Sequence, residues 1–186
     1  MYIYELALTL KIMFLDMKEI FKIKLLIILL IQVLSCNGQT PEEHFISGSE
    51  NFLKHDYTGA IVEFNKVITL RPDYAVAYYS RGNANFELGN YTSSIADFNN
   101  VVKIDPKNAE VYFNRAMAKF ALEDSRGAIM DCTKTIEMKP NFALAYSLRG
   151  LSKIKLSQID DGCIDLSKAG ELGDESAYLS IRDLCK

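Results

Sequence analysis

"AYYSRGNANFELGNY", residues 77–91, decides the fold, because its opening returns twice further along the chain. It comes back as "VYFNRAMAKFALED" from Val111 and as "AYSLRGLSKIKLSQ" from Ala145. Arg81, Arg115 and Arg149 mark the copies at a step of 34 residues, and Pro72, Pro106 and Pro140 keep the same step. A fixed period of this length is the signature of a repeat architecture.

Counting from Pro41 as the first residue of the first unit, the next units begin at Ala75, Ala109 and Ala143. The eighth position holds Gly48, Gly82, Ala116 and Gly150, and the twentieth holds Ala60, Ser94, Ala128 and Gly162. Small residues at both suit helices that approach closely. Ile61, Phe64 and Ile68 are spaced by three and four, as are Ile95, Phe98 and Val102, and Ile129, Cys132 and Ile136. That spacing gives one apolar helical face per unit. Each unit therefore predicts two short amphipathic helices. Gly89-Asn90 and Glu123-Asp124 mark the turns inside units two and three, and a helix-stopping proline closes each of the first three units. One such pair cannot bury its apolar face alone, so neighbours must stack. The expectation is an all-α solenoid with units 41–74, 75–108, 109–142 and 143–173. After it, "DESAYLSIRDLCK", residues 174–186, predicts a capping helix whose Ala177, Leu179, Ile181 and Leu184 cover the last exposed face.

The chain of 186 residues has a net charge of −3, so no electrostatic argument for nucleic acid arises. Its four cysteines, at 36, 132, 163 and 185, form no CxxC pair, which argues against a zinc or thioredoxin-like motif.

The first forty residues differ from the rest. Lys18, Lys22 and Lys24 precede the apolar run "LLIILLIQVL", residues 25–34, and polar "SCNGQT" follows. The run is too short to cross a bilayer, which needs about 20 apolar residues. A basic start, a short apolar core and polar residues describe a signal peptide over residues 1–35, against the alternative of a buried or interfacial helix of the mature protein. The acids before Lys18 suit a start at Met17 better than one at Met1. "VLSC" is similar to a bacterial lipobox, with Cys36 as the residue to be lipidated and 36–40 as a short linker. Ordinary cleavage a few residues later is the alternative.

Taken together, the repeat pattern resembles the tetratricopeptide repeat (TPR), over residues 41 to about 172. Tyr78, Tyr112 and Tyr146 stand where the family usually has Trp, and His44 stands there in the weaker first unit. Asp174 takes the place of the fourth proline. The resemblance implies a right-handed superhelical solenoid and a non-catalytic protein-interaction module of the bacterial exported or lipoprotein type. It also implies a concave groove lined by the first helix of each unit. Mapped here, that groove holds Val76, Tyr79, Asn83, Phe86, Glu87, Glu110, Phe113, Met117 and Phe120, then Leu144, Ser147, Leu151 and Ile154 of unit four. An extended peptide or amphipathic helix suits such a surface. Phe86 and Phe120 serve equally as packing between repeats. The family's carboxylate clamp would fall on Tyr79, Asn83, Asn114, Leu144 and Leu148. Only the two asparagines match, so that mode is rejected, although Asn83 and Asn114 retain the ability to bond a peptide backbone.

Each arginine comes with an acid 16 residues on: Arg81 with Asp97, Arg115 with Asp131, Arg149 with Asp165. These suit a ladder of ion pairs that sets helix register, within a unit or across to the next. The alternative is a basic stripe for an acidic ligand. Bacterial exported TPR proteins often end in a two-cysteine segment, so the resemblance favours a tie between Cys163 and Cys185, with two free thiols as the alternative. Cys132 falls on the apolar face and reads as a small hydrophobe. No motif for catalysis, metal or cofactor is present: His44 and His55 lack an HExxH context, and there is no GxSxG, P-loop or GxGxxG. The sequence thus suggests an exported adaptor, anchored by lipid and facing the periplasm, or else periplasmic or secreted. It would bind a protein or peptide in its groove, or serve as an accessory subunit contacting partners through its convex face or cap.

Overall fold

The computed structural model of the chain describes Lys22, residues 24–27 and residues 40–185. Lys22 and residues 24–27 are helical and belong to a unit separate from Pro41–Lys186. Met17, Cys36 and most of the apolar run lie outside the described residues. Among the described residues, no helix is long and apolar enough to cross a membrane.

From Pro41 onward the chain is a series of helical hairpins. The first helices of the four units are α1 (Pro41–Leu53), α3 (Ala75–Glu87), α5 (Ala109–Ala121) and α7 (Ala143–Lys155). The second helices are α2 (Tyr57–Leu70), α4 (Tyr91–Ile104), α6 (Ser125–Met138) and α8 (Ile159–Glu171), and α9 (Ser176–Leu184) follows. The first helices begin at Pro41, Ala75, Ala109 and Ala143, one 34-residue step apart. Each helix packs on the next in sequence, and α1, α3, α5 and α7 also pack on one another. The second helices lack comparable mutual packing. The first helices therefore form the inner, concave layer and the second helices the outer one.

Local chemistry sets the turns. The fifteenth residue of every unit takes a left-handed conformation: His55 (φ 60), Gly89 (φ 75), Glu123 (φ 63) and Ser157 (φ 62). Only Gly89 adopts it without steric penalty. The next residue opens the second helix, and Asp56 and Asp124 cap it by accepting from the backbone N–H of Gly59 and Gly127, each at 2.9 Å.

The core follows a size rule between positions eight and twenty-four. A Cβ on Gly82 would lie 2.8 Å from the Phe98 ring, so the glycine makes room for a buried phenylalanine. Gly48 and Phe64 repeat the arrangement. In unit three Ala116 takes the eighth position, and its partner shrinks to Cys132, which packs against it with Ala128. Burial, chiefly, and the neighbouring Asp131 push the Cys132 thiol up to about 12. It is a packing residue and keeps its proton.

The cap is covalently tied: Cys163 and Cys185 form a disulfide with Cα atoms 5.9 Å apart. Its contact face differs from the expectation. Ala177 and Ile181 pack on Leu166 and Ala169, together with Cys185. Leu179 and Leu184 are exposed instead. The disulfide fixes the rotation of α9, and residues 177, 181 and 185 share one face at the four-residue spacing. Asp174, in place of the fourth proline, starts this element: its carboxylate accepts from the Ser176 N–H at 3.1 Å and from the hydroxyls of Ser176 and Ser147. Those bonds hold its pKa below the usual carboxylate range.

Candidate functional site: a concave groove over an arginine ladder

The three arginines are scaffold. Arg81 donates to both Asp97 oxygens (Nε at 3.0 and 3.2 Å, Nη2 at 2.5 Å). Arg115 forks onto Asp131 at 2.9 and 2.6 Å, and Arg149 onto Asp165 at 2.8 and 2.7 Å. Each of these ion pairs therefore closes within its own unit. The remaining Nη1 of each arginine reaches back into the preceding unit, to Asn65, Asn99 and Thr133. The tyrosines in the usual tryptophan place lie beneath the guanidinium groups: Tyr78, Tyr112 and Tyr146 centroids sit 5.5, 5.3 and 5.4 Å from Arg81, Arg115 and Arg149. Each of these three forks is thus closed on a buried acid.

The sequence reading missed the third member of each rung. Lys119 and Lys153 add a second cation to Asp131 and Asp165 at 2.7 and 2.8 Å. In unit two the same position is Asn85, which donates to Asp97 at 3.1 Å. Burial by itself would raise the Asp165 pKa, but bonds from Arg149 and Lys153 outweigh it and hold the carboxyl below its ordinary value. Unit one has Ser47 in place of the arginine, and its rung is rebuilt: His44 Nδ1 lies 2.6 Å from Glu63 Oε2.

The inner layer carries two adjoining pockets. One, of about 210 Å³, is lined by Ser49, Phe52, Leu53, Phe64, Ser80 and Asn83. The other, of about 250 Å³, shares Phe52 and Asn83 and adds Phe86, Glu87, Phe98, Asn114 and Met117. Of the expected groove residues, Asn83, Phe86, Glu87, Asn114 and Met117 thus come together on one surface. Ser49, Phe52 and Leu53 were missed, although they hold the same positions in unit one that Asn83, Phe86 and Glu87 hold in unit two.

Other expected groove residues are placed differently. Phe113 is only 8% exposed and packs edge-on against Phe142, centroids 4.9 Å apart, at the junction with unit four. Glu110 is engaged by Lys139 at 2.8 Å. Phe120 lies under Lys155, whose Nζ is 4.4 Å from the ring centroid. In unit four, Ser147 is bonded to Asp174, while Leu151 and Ile154 pack on the α8–α9 core. Leu144 is exposed, as expected. Asn114 donates to the Tyr79 hydroxyl at 2.9 Å and to Asn83 Oδ1 at 3.1 Å, so the asparagines bond each other across α3 and α5. The open groove consequently lies in units one to three. Among the described residues no group of His, Cys, Asp or Glu is arranged to hold a metal ion.

Comparison with known proteins agrees with this architecture. The family model described as TPR repeat matches residues 48–89 and 82–122, and the model described as tetratricopeptide repeat matches 109–142. No curated protein matches the chain. Among solved structures, MamA superposes with a TM-score of 0.72 at 24% identity, covering 79% of this chain and 86% of that one. MamA from Desulfovibrio magneticus RS-1 gives 0.69 at 22% identity, covering 72% and 75%. The first TPR of Spaghetti (RPAP3), bound to the HSP90 peptide SRMEEVD, gives 0.58 at 26% identity, covering 60% and 90%. With its repeat period, hairpin stack and family-model matches in agreement, this chain belongs to the tetratricopeptide-repeat family.

Proposed function

We propose that the chain is a non-catalytic adaptor that holds an extended segment or helix of a partner protein in the groove of α1, α3 and α5. The observation that carries this reading is the pair of adjoining apolar pockets, open to solvent and lined by Phe52, Leu53, Phe86 and Met117. A concave apolar surface with a few fixed polar groups is the usual form of a peptide site. The Spaghetti (RPAP3) domain, which is bound to the peptide SRMEEVD, supports the mode of binding. Its acidic peptide is a poor guide to the ligand here, because Tyr79, Leu144 and Leu148 stand where the family's clamp needs cations. Selection of a displayed random-peptide library on the full chain tests the reading. Binders should lose affinity about tenfold or more against Phe86→Ala and Met117→Ala, as truncation of a buried anchor does. Binders indifferent to both variants would overturn it. Tyr79→Ala and Phe113→Ala are poorer probes, since one breaks a hydrogen bond inside the scaffold and the other a packed junction.

The adaptor is further proposed to be exported and tethered to a bacterial envelope through lipid on Cys36, facing the periplasm. The basic, apolar and "VLSC" order of residues 18–36 supports this. Cys36→Ala should move the protein from the membrane to the soluble fraction. An unchanged fractionation would exclude the anchor.

A second reading has its own observation. The twenty-second position of each unit is apolar and exposed on the outer layer: Val62, Ala96, Met130 and Ile164. Met130 is 73% exposed. This stripe favours assembly through the convex face. Met130→Glu with Ile164→Glu should abolish such assembly and spare groove binding.

A further inference from the structure

We propose that the second groove pocket is a cation subsite, taking an arginine or lysine side chain of the partner between Phe52, Phe86 and Glu87. The proposal rests on the groove reading and names the chemistry of what the groove holds. Three observations converge on it.

The first is the pocket's lining. Phe52, Phe86, Phe98 and Met117 surround it, Glu87 is its one ionisable group, and no lysine or arginine is among its walls. Glu87 is exposed and, among the described residues, has no hydrogen-bond or ion-pair partner. Every neighbouring rung carboxylate, by contrast, is engaged by a partner.

The second is a precedent further along the same inner layer. Lys155, thirteenth in unit four, places its ammonium 4.4 Å from the centroid of Phe120, twelfth in unit three. Moving back one unit, the pair becomes Ala121 and Phe86. Moving back two, it becomes Glu87 and Phe52. The chain supplies its own cation to the last of three equivalent phenylalanines and withholds it from the other two. At Phe86 the covering side chain is reduced to a methyl group. At Phe52 it is replaced by a carboxylate.

The third is electrostatic. The face of an aromatic ring carries the negative end of its quadrupole, so a carboxylate beside Phe52 gains nothing from the ring. A cation placed between them is attracted by both the charge and the ring face. Asn114 Oδ1 is left as an acceptor, since the bonds to Tyr79 and Asn83 use only its Nδ2. A guanidinium, planar and weakly hydrated, fits this combination of ring, carboxylate and amide oxygen. An acidic peptide terminus does not.

The test is a titration of the isotopically labelled full chain with butylguanidinium, and separately with its neutral counterpart butylurea. The backbone amides of Asn83, Phe86, Glu87 and Met117 are followed by NMR. Butylguanidinium should give saturable shifts at these amides, with butylurea at least about tenfold weaker. Glu87→Gln should weaken the cation about tenfold. Ala121→Lys, which restores to Phe86 the lysine that Lys155 gives to Phe120, should block it. Both changes are at exposed positions, and unchanged amide spectra away from the pocket will show that the fold is kept. Equal binding of butylurea, absence of saturable shifts, or unaltered affinity in Glu87→Gln would each overturn the subsite. Library peptides that depend on Phe86 and Met117 but lack arginine and lysine would overturn it too, while leaving the groove reading in place.

Discussion

At the scale of single residues, the arginine rungs differ in how much each depends on its arginine. Asp97 is buried with one cation, Arg81, and one neutral donor, Asn85. Asp131 and Asp165 each have a lysine in reserve. Removing one partner of a buried ion pair strands the other charge, at a penalty of about 3 kcal/mol or more. Arg81→Met should therefore destabilise the protein by about that amount, and Arg115→Met or Arg149→Met by about half of it, since a second cation remains. Urea unfolding of the three variants checks the order. The depressed pKa of Asp165 has a pH consequence. A carboxylate whose folded value lies below its unfolded value of about 3.9 stabilises the fold fully above that value. The contribution is lost as pH falls through the folded value. Stability should thus decline below about pH 4, less so in Asp165→Asn, as pH-dependent thermal melts would register. The pairing of each arginine with an acid was legible in the sequence, because both recur at one fixed offset. The lysine reserve was not: unit two has Asn85 at that place, so the pattern is broken in the first copy that carries the arginine.

At the scale of the element, packing between the two helices of a hairpin depends on a size exchange. Gly82 faces Phe98, whereas Ala116 faces Cys132. Enlarging one side alone overfills a closed interface, at a typical penalty of 1–3 kcal/mol, that is about 2 kcal/mol here for Cys132→Phe. Adding Ala116→Gly should recover most of the loss, because it recreates the unit-two pair. Thermal denaturation of the two variants decides the matter, and a double variant no better than the single would refute the exchange. The same burial that raises the Cys132 thiol should protect it from iodoacetamide until the protein is unfolded. Helix positions and turns were readable at this scale because small residues, apolar spacing and prolines repeat. The left-handed residue in each turn was only half readable: Gly89 announces it, but His55, Glu123 and Ser157 adopt it under the constraint of the hairpin.

At the scale of the whole molecule, an array of this kind is held by contacts between neighbours, so its ends are its weak points. Here the C-terminal end is stapled. Reducing Cys163–Cys185, which closes 22 residues of sequence separation, should lower stability by about 3 kcal/mol and release α9 first. Hydrogen exchange with and without reductant would reveal faster exchange confined to α8 and α9. The period, the all-helical stack, the unit boundaries and the arginine–acid pairs were determined by the sequence itself, since each depends on residues a fixed and short distance apart. Which expected groove residues meet was decided only by the tertiary structure. Phe113 and Phe86 both lie on inner helices at positions expected to face the groove, yet one is sealed by Phe142 and the other lines an open pocket. The difference lies in what the adjoining unit brings up against each ring. Spacing along a helix specifies a face, but whether that face meets solvent or another side chain depends on partners a whole repeat away.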